Sequence, residues 1–196
     1  MNLITGVGFD VGLRNLGMAV VGFDSSLEEN DRFYCIKLDL IDLNSRVTNE
    51  AVETLCMKLD LLWDDYLRQC TYVNIEQQPE QQHVSKFAKF SRGRDNTQMK
   101  SISHAIQAYF LARGKEVEFV SPKSKLTVYK GPPLENVSKA KDPYYLRKRM
   151  SIAHAVAMLK NQDDWLLYIK QLEKKDDVCD AYLQCCYALE RKHMLG

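Results

Sequence analysis

The stretch GFDVGLRNLGMAV, residues 8–20, decides how this chain is read. It begins at the end of an apolar run containing Leu3, Ile4, Val7 and Phe9, which spells a β-strand over residues 3–10. Asp10 closes that strand. A short Gly- and Asn-containing connection follows, and then GMAVVGF (17–23) supplies a second β-branched run bounded by glycines. A third run, RFYCIKLDL (32–40), alternates and places Tyr34, Ile36, Leu38 and Leu40 on one face. Short connections between such runs favour an antiparallel meander.

Working outward, the period changes from two to helical over residues 49–69. There Val52, Leu55, Cys56, Leu59, Leu62, Trp63, Tyr66 and Leu67 form one stripe, with Thr48 or Asn49 as the candidate cap. A short strand is predicted at 72–76, a polar and basic loop over 80–95 and a helix over 97–112 that stops at Arg113-Gly114. Next come a strand at 117–120 and a loop over 121–142. Asp142-Pro143 then starts a helix running to about residue 160, with Asp as N-cap and Pro in the first turn. Helices at 164–173 and 175–192 finish the chain. This order predicts an α/β fold: a mixed five-stranded sheet, three antiparallel strands then two parallel, with helices on both faces and residues 1–196 in a single domain.

The composition is that of an ordinary folded protein. Of 196 residues, 45% are hydrophobic and 27% charged, which argues against disorder. No apolar run reaches the roughly 20 residues of a membrane span, and the N-terminus shows no secretory pattern. The six cysteines form no CxxC pair and no zinc spacing, so they read as buried thiols. An intracellular, reducing compartment is expected, either host cytoplasm or nucleus if the source is viral.

Four acids sit where solvation alone does not explain them. Asp10 ends the first strand, and Glu76 ends the fourth in VNIEQQP (73–79). Asp177 and Asp180 stand three apart in KKDDVCDAYL (174–183), flanking the apolar side of the last helix. If the first and fourth strands are neighbours, Asp10 and Glu76 converge, and a helix packed on the sheet adds the Asp pair. Ionised carboxylates so crowded need cations. Hard oxygen donors at this density suit Mg²⁺, with Mn²⁺ as a substitute. Two such ions about 3.5–4 Å apart activate a water and stabilise the leaving oxygen of a phosphodiester.

These three motifs together resemble RuvC-like Holliday junction resolvases of the RNase H-like superfamily, especially those of poxviruses and other large DNA viruses. The resemblance covers nearly the whole chain. It implies two Mg²⁺ per active site held by Asp10, Glu76, Asp177 and Asp180, with Asp176 as a rival for the helix position. It also implies an active-site lysine after the fifth strand, in VSPKSKL (120–126): Lys125 is preferred, with Lys123 close behind. The implied activity is a structure-selective endodeoxyribonuclease that resolves four-way junctions by paired Mg²⁺-dependent nicks in DNA recombination and replication, acting as a homodimer. Glu76 on a strand after the first helix, rather than on that helix, fits a resolvase better than an RNase H proper.

Formal net charge is only +1, but it is unevenly spread: −7 over residues 1–78, +10 over 79–162 and −2 over 163–196. The basic middle is the expected DNA surface. Its loop HVSKFAKFSRGRDNTQMK (83–100) interleaves Lys86, Lys89, Arg92, Arg94 and Lys100 with Phe87 and Phe90, suited to phosphates and unpaired bases. Lys123, Arg147, Lys148 and Arg149 extend the same expectation. The helix at 97–112, with Ile102, Ala105, Ile106, Tyr109 and Phe110, is a candidate dimer surface, with ordinary core packing as the alternative. The competing readings are an RNase H-type nuclease on RNA–DNA hybrids and a catalytically inactive junction-binding protein. An ATPase built on the DxG-like turn lacks the second domain it would need.

Overall fold

A computed structural model of the chain describes residues 3–29, 31–45, 47–78, 91–134 and 142–195, with the backbone alone at 91–96 and 195. The elements follow the expected order. Strands β1 (Leu3–Val11), β2 (Asn15–Asp24) and β3 (Phe33–Asp42) lead into α1 (Thr48–Leu62), which ends in one wide π turn at Trp63–Leu67. Then come β4 (Tyr72–Glu76), α2 (Ser91–Leu111), β5 (Glu116–Val120), a 3₁₀ turn (Ser124–Thr127), α3 (Pro143–Met158), α4 (Asp163–Gln171) and α5 (Lys175–Leu195).

The sheet order is β3-β2-β1-β4-β5. β1–β2 and β2–β3 are antiparallel, while β1–β4 and β4–β5 are parallel. β1 is therefore central, with the first and fourth strands side by side. Each face of the sheet buries its own apolar layer. One layer joins Val7, Phe9, Val20 and Ile75 to Leu55 and Leu59 of α1 and Ile106 and Phe110 of α2. The other joins Ala19, Val21 and Leu38 to α5 (Val178, Tyr182, Cys186), with Ala155 of α3 and Ile169 of α4.

The close approach of α5 to the sheet depends on two glycines. A Cβ at Gly8 of β1 would stand 2.4 Å from the backbone oxygen of Ala181, and one at Gly17 of β2 would stand 2.1 Å from that of Asp177. Neither obstacle is a movable side-chain tip, so only glycine lets this helix lie directly on these strands. The helix runs from Gly17 past Gly8 toward Gly6, near Leu189. It is therefore antiparallel to β1, and its N-terminus lies at the carboxyl end of that strand.

Four expectations need correction. The helix α2 starts at Ser91, six residues before the expected Thr97, because its first two turns are polar and carry no apolar period. The expected loop over 121–142 contains the 3₁₀ turn at Ser124–Thr127. Tyr34, Ile36, Leu38 and Leu40 do not share one face: Val20 pairs with Lys37 but Val21 with Cys35, so Ile36 is an extra, bulged residue. Ile36 packs on the α1/α2 side, whereas Leu38 and Leu40 pack on the α5 side. Finally, α1 is entered from Val47, with no side-chain cap from Thr48 or Asn49. By contrast, Asp142 caps α3 as expected, its Oδ1 accepting from the Tyr144 amide at 2.8 Å. All six cysteines are free thiols, and all but Cys56 are buried. No helix among the described residues is long and apolar enough to cross a membrane.

Candidate active site

The β1–β4 ladder has Phe9 opposite Ile75, so Asp10 and Glu76 are the next residues on adjacent parallel strands. Asp10 pairs with Gly17 across the β1–β2 ladder and so points to the same face as Gly17, toward α5. Asp180, one turn into α5, completes the cluster.

Lys125, in the 3₁₀ turn after β5, stands at the centre. Its Nζ donates to Asp180 Oδ2 at 2.5 Å and lies 3.7 Å from Glu76 Oε2 and 3.9 Å from Asp10 Oδ1. The lysine is 8% exposed. Burial works to lower its pKa, but Asp10, Asp180 and Glu76 outweigh burial and the net shift is upward. Burial, followed by the hydrogen bond and charge of Glu76, pushes the Asp10 carboxyl well above the usual carboxylate range. Asp180 is also raised, by burial first, against the opposing pull of Lys125. Burial is the first cause of both upward shifts, and the neighbouring carboxylates, three around one ammonium, add to it.

Ser151 of α3, 1% exposed, was not among the sequence candidates. Its hydroxyl donates to Asp180 Oδ1. Both oxygens of Asp180 are thus engaged, one by Ser151 and one by Lys125. Lys148, one turn before Ser151 on the same face of α3, pairs with Asp176. Asp176 is therefore occupied in joining α3 to α5, and Lys148 is engaged by it rather than standing free toward DNA.

Asp177 is not among the acids gathered on Lys125. Its carboxyl is pushed up to about 6 by burial first and then by the charge of Asp176, with Asp180 a smaller contribution. It stands beside the cluster, its backbone oxygen above Gly17. Lys123, the rival active-site lysine, is exposed, whereas Lys125 is inside.

The remaining candidates fall into three groups. Lys86, Phe87, Lys89 and Phe90 lie outside the described residues, and only the backbone of Arg92 and Arg94 is described, within α2. Arg147 and Arg149 are exposed on α3, and Lys100 is half-buried on α2. The candidate dimer face of α2 is interior: Ile102, Ile106 and Phe110 are fully buried against the sheet, and Tyr109 nearly so. Core packing claims that face, so it is not available to a second copy. A cleft of about 320 Å³ between Phe33, Val128, Tyr129, Met158 and Glu190 contains none of the clustered acids.

The donor set fits a hard divalent cation in its chemistry, since every carboxylate is oxygen-only and the cluster lacks positive charge. Among the described residues, however, no group of His, Cys, Asp and Glu stands ready to chelate an ion as placed. The Lys125 ammonium takes the central position instead.

No family model matches the chain. An uncharacterized protein of Acanthamoeba polyphaga mimivirus is 40% identical over 108 residues, which cover 48% of this chain and 26% of that protein. The match thus spans about a quarter of that relative's length. Among solved structures, Thermus thermophilus RuvC in complex with a Holliday junction substrate superposes with a TM-score of 0.64 at 12% identity, covering 97% of this chain and 96% of that one. Fowlpox virus resolvase in complex with Holliday junction DNA gives 0.60 at 14% identity, covering 96% and 99%. The yeast mitochondrial Holliday junction resolvase gives 0.59 at 13%, covering 96% and 82%. The chain therefore has the RuvC-like resolvase fold, the RNase H-like α/β architecture with its mixed five-stranded sheet.

Proposed function

We propose that residues 1–196 form one nuclease domain that cuts branched DNA, resolving four-way junctions by paired Mg²⁺-dependent nicks. The observation that carries this reading is the meeting of Asp10, Glu76 and Asp180 around Lys125 at adjacent strand ends. A fold shared over nearly the whole chain with proteins solved on Holliday junctions supports it.

Asp10, Glu76 and Asp180, with Asp177 beside them, are the residues that would hold Mg²⁺ or Mn²⁺. Bound there, the metal would supply Lewis-acid activation of water and charge stabilisation on the phosphodiester. The chain's own residues do the positioning. Ser151 and Lys125 fix the two oxygens of Asp180, so its carboxylate has one orientation. Lys125 Nζ has three acceptors around it, and released from any of them it can donate to a phosphate oxygen at the same point. Arg147 and Arg149, exposed on the next helix, suit flanking phosphates, as do Lys100 and Lys123.

Among the described residues one chain carries one such acidic centre, and two nicks in opposing strands call for two, which supports a homodimer. Recombination and replication of DNA is the process such an activity serves. Six free thiols suit a reducing compartment, and the mimivirus relative favours a viral source working in host cytoplasm or nucleus.

The test incubates the full chain with an end-labelled four-way junction, a plain duplex and an RNA–DNA hybrid, with and without Mg²⁺. Symmetrical nicks in the junction alone, dependent on metal, are expected. Cleavage of the hybrid alone points to the RNase H reading, and binding with no cleavage under any divalent metal points to an inactive junction binder. Either result overturns the proposal.

A further inference from the structure

We infer that Tyr144 and Tyr145, at the start of α3, form a stacking platform for unpaired or unstacked bases beside the carboxylate cluster. This inference rests on the reading of the protein as a branched-DNA nuclease and adds a base-contacting element to it.

The placement follows from how α3 lies on α5. Lys148 pairs with Asp176 and Ser151 with Asp180. Both partners advance together along the chain, so the two helices run in the same direction. Since α5 starts at Lys175, the residues of α3 before Lys148 project beyond the start of α5. That is the end of the sheet where β1 and β4 deliver Asp10 and Glu76. Tyr144, Lys148 and Ser151 are spaced i, i+4, i+7 and form one stripe. The stripe leads from the tyrosine to the carboxylate of Asp180. At 1.5 Å per residue, Tyr144 and Ser151 are about 10 Å apart along the axis, or roughly three nucleotide steps of 3.4 Å.

The surface at that end is unlike a core. Tyr144 is 52% exposed and Tyr145 60%. Their rings meet edge-on with centroids 5.6 Å apart, and the Lys148 ammonium lies 5.2 Å from the Tyr144 centroid. Exposed Arg147 and Arg149 flank them. Two large rings left half in water, within about one turn of two exposed guanidinium groups, match what binds a strand without reading its sequence: cations for phosphates and π faces for bases. A regular duplex hides its base faces. A branch point or a frayed end exposes them, so the pair favours branched over fully paired DNA.

The test measures affinity for a four-way junction carrying 2-aminopurine next to the branch, and for a duplex of equal length, both in Ca²⁺ without Mg²⁺. The wild type is compared with Y144A/Y145A and with Y144F/Y145F, each checked for its melting temperature and oligomeric state. The alanine variant is expected to lose about tenfold or more in junction affinity, to keep its duplex affinity and melting temperature, and to lose the change in 2-aminopurine fluorescence. The phenylalanine variant is expected to behave as wild type. Equal losses on junction and duplex, no loss, or a changed oligomeric state would each overturn the platform. A wild type with no preference for the junction overturns the nuclease reading itself, an outcome read without any tyrosine variant.

Discussion

The hydroxyl of Ser151 on α3 donates to Oδ1 of Asp180 on α5, and so holds the free oxygen of the carboxylate whose other oxygen receives Lys125. Ser151 is fully inside, where no water competes for the bond. Replacing it by alanine leaves a buried carboxylate oxygen unpaired, which costs on the order of 1–3 kcal/mol. S151A is therefore expected to melt lower and to cleave more slowly, by about tenfold or more, with S151T restoring part of both. Thermal melting and single-turnover cleavage check this. Full activity in S151A would show that Asp180 needs no such partner.

Lys125 neutralises part of the charge of three acids in the metal-free protein. Without it, Asp10, Glu76 and Asp180 repel one another at neutral pH. K125A is expected to melt below wild type without metal and to gain more than wild type when Mn²⁺ is added, since the central position is then open to the cation. Melting curves with and without Mn²⁺ measure both. An identical Mn²⁺ response in the two proteins would contradict a shared position for lysine and metal.

Asp177 gives a pH signature. Its folded-state pKa of about 6 lies above the ordinary carboxylate value. The folded chain therefore holds this proton more tightly than the unfolded chain does, and the group's contribution to stability falls as pH rises from about 4 to 6. Above that window the ionised carboxylate is a net cost. D177N is expected to be more stable than wild type at pH 7, by about 1–2 kcal/mol after allowance for partial solvent contact. That advantage disappears near pH 4, and metal-dependent cleavage is abolished. Denaturant melts of the metal-free proteins at the two pH values decide it: a D177N protein less stable at pH 7 would make Asp177 a structural acid.

Gly17 is the tightest of the α5 contacts. A Cβ there meets the Asp177 backbone oxygen at 2.1 Å, and a main-chain oxygen within a helix has nowhere to retreat. G17A is expected to cost on the order of 3 kcal/mol and to reduce cleavage beyond the loss from unfolding, because lifting α5 separates Asp180 from Asp10. Urea melts and cleavage by the folded fraction test this.

Much of this site is visible in the bare chain because acids at strand ends and on an apolar helix flank contradict their surroundings. Asp10, Glu76 and Asp180 stand out for that reason. Lys125 and Lys123 do not separate from each other by sequence, since the 3₁₀ turn that directs one inward and leaves the other exposed has no apolar period. Ser151 has a faint signal, a small hydroxyl just before the mostly apolar run Ile152-Ala153-His154-Ala155-Val156, but serine in a helix carries no fixed role. The bulge at Ile36 is invisible because a strand with an inserted residue still alternates on paper. The α2 face stays open between core and dimer in the sequence because a stripe of Ile102, Ile106 and Phe110 reads the same whether it covers a sheet or a partner. The polar start of α2 hid its first two turns for the opposite reason.

At Gly8 and Gly17 the last helix meets the sheet main chain against main chain. The gap between Asp10 and Asp180 is thus a property of two peptide backbones, like the spacing of rungs in a ladder, and owes little to how neighbouring side chains interlock. The apolar layers on both sides could be rebuilt extensively without altering that gap, provided those two positions remain bare. Conversely, a single methyl group at either one would shift α5 and reach the acids through the backbone, with no acid itself replaced.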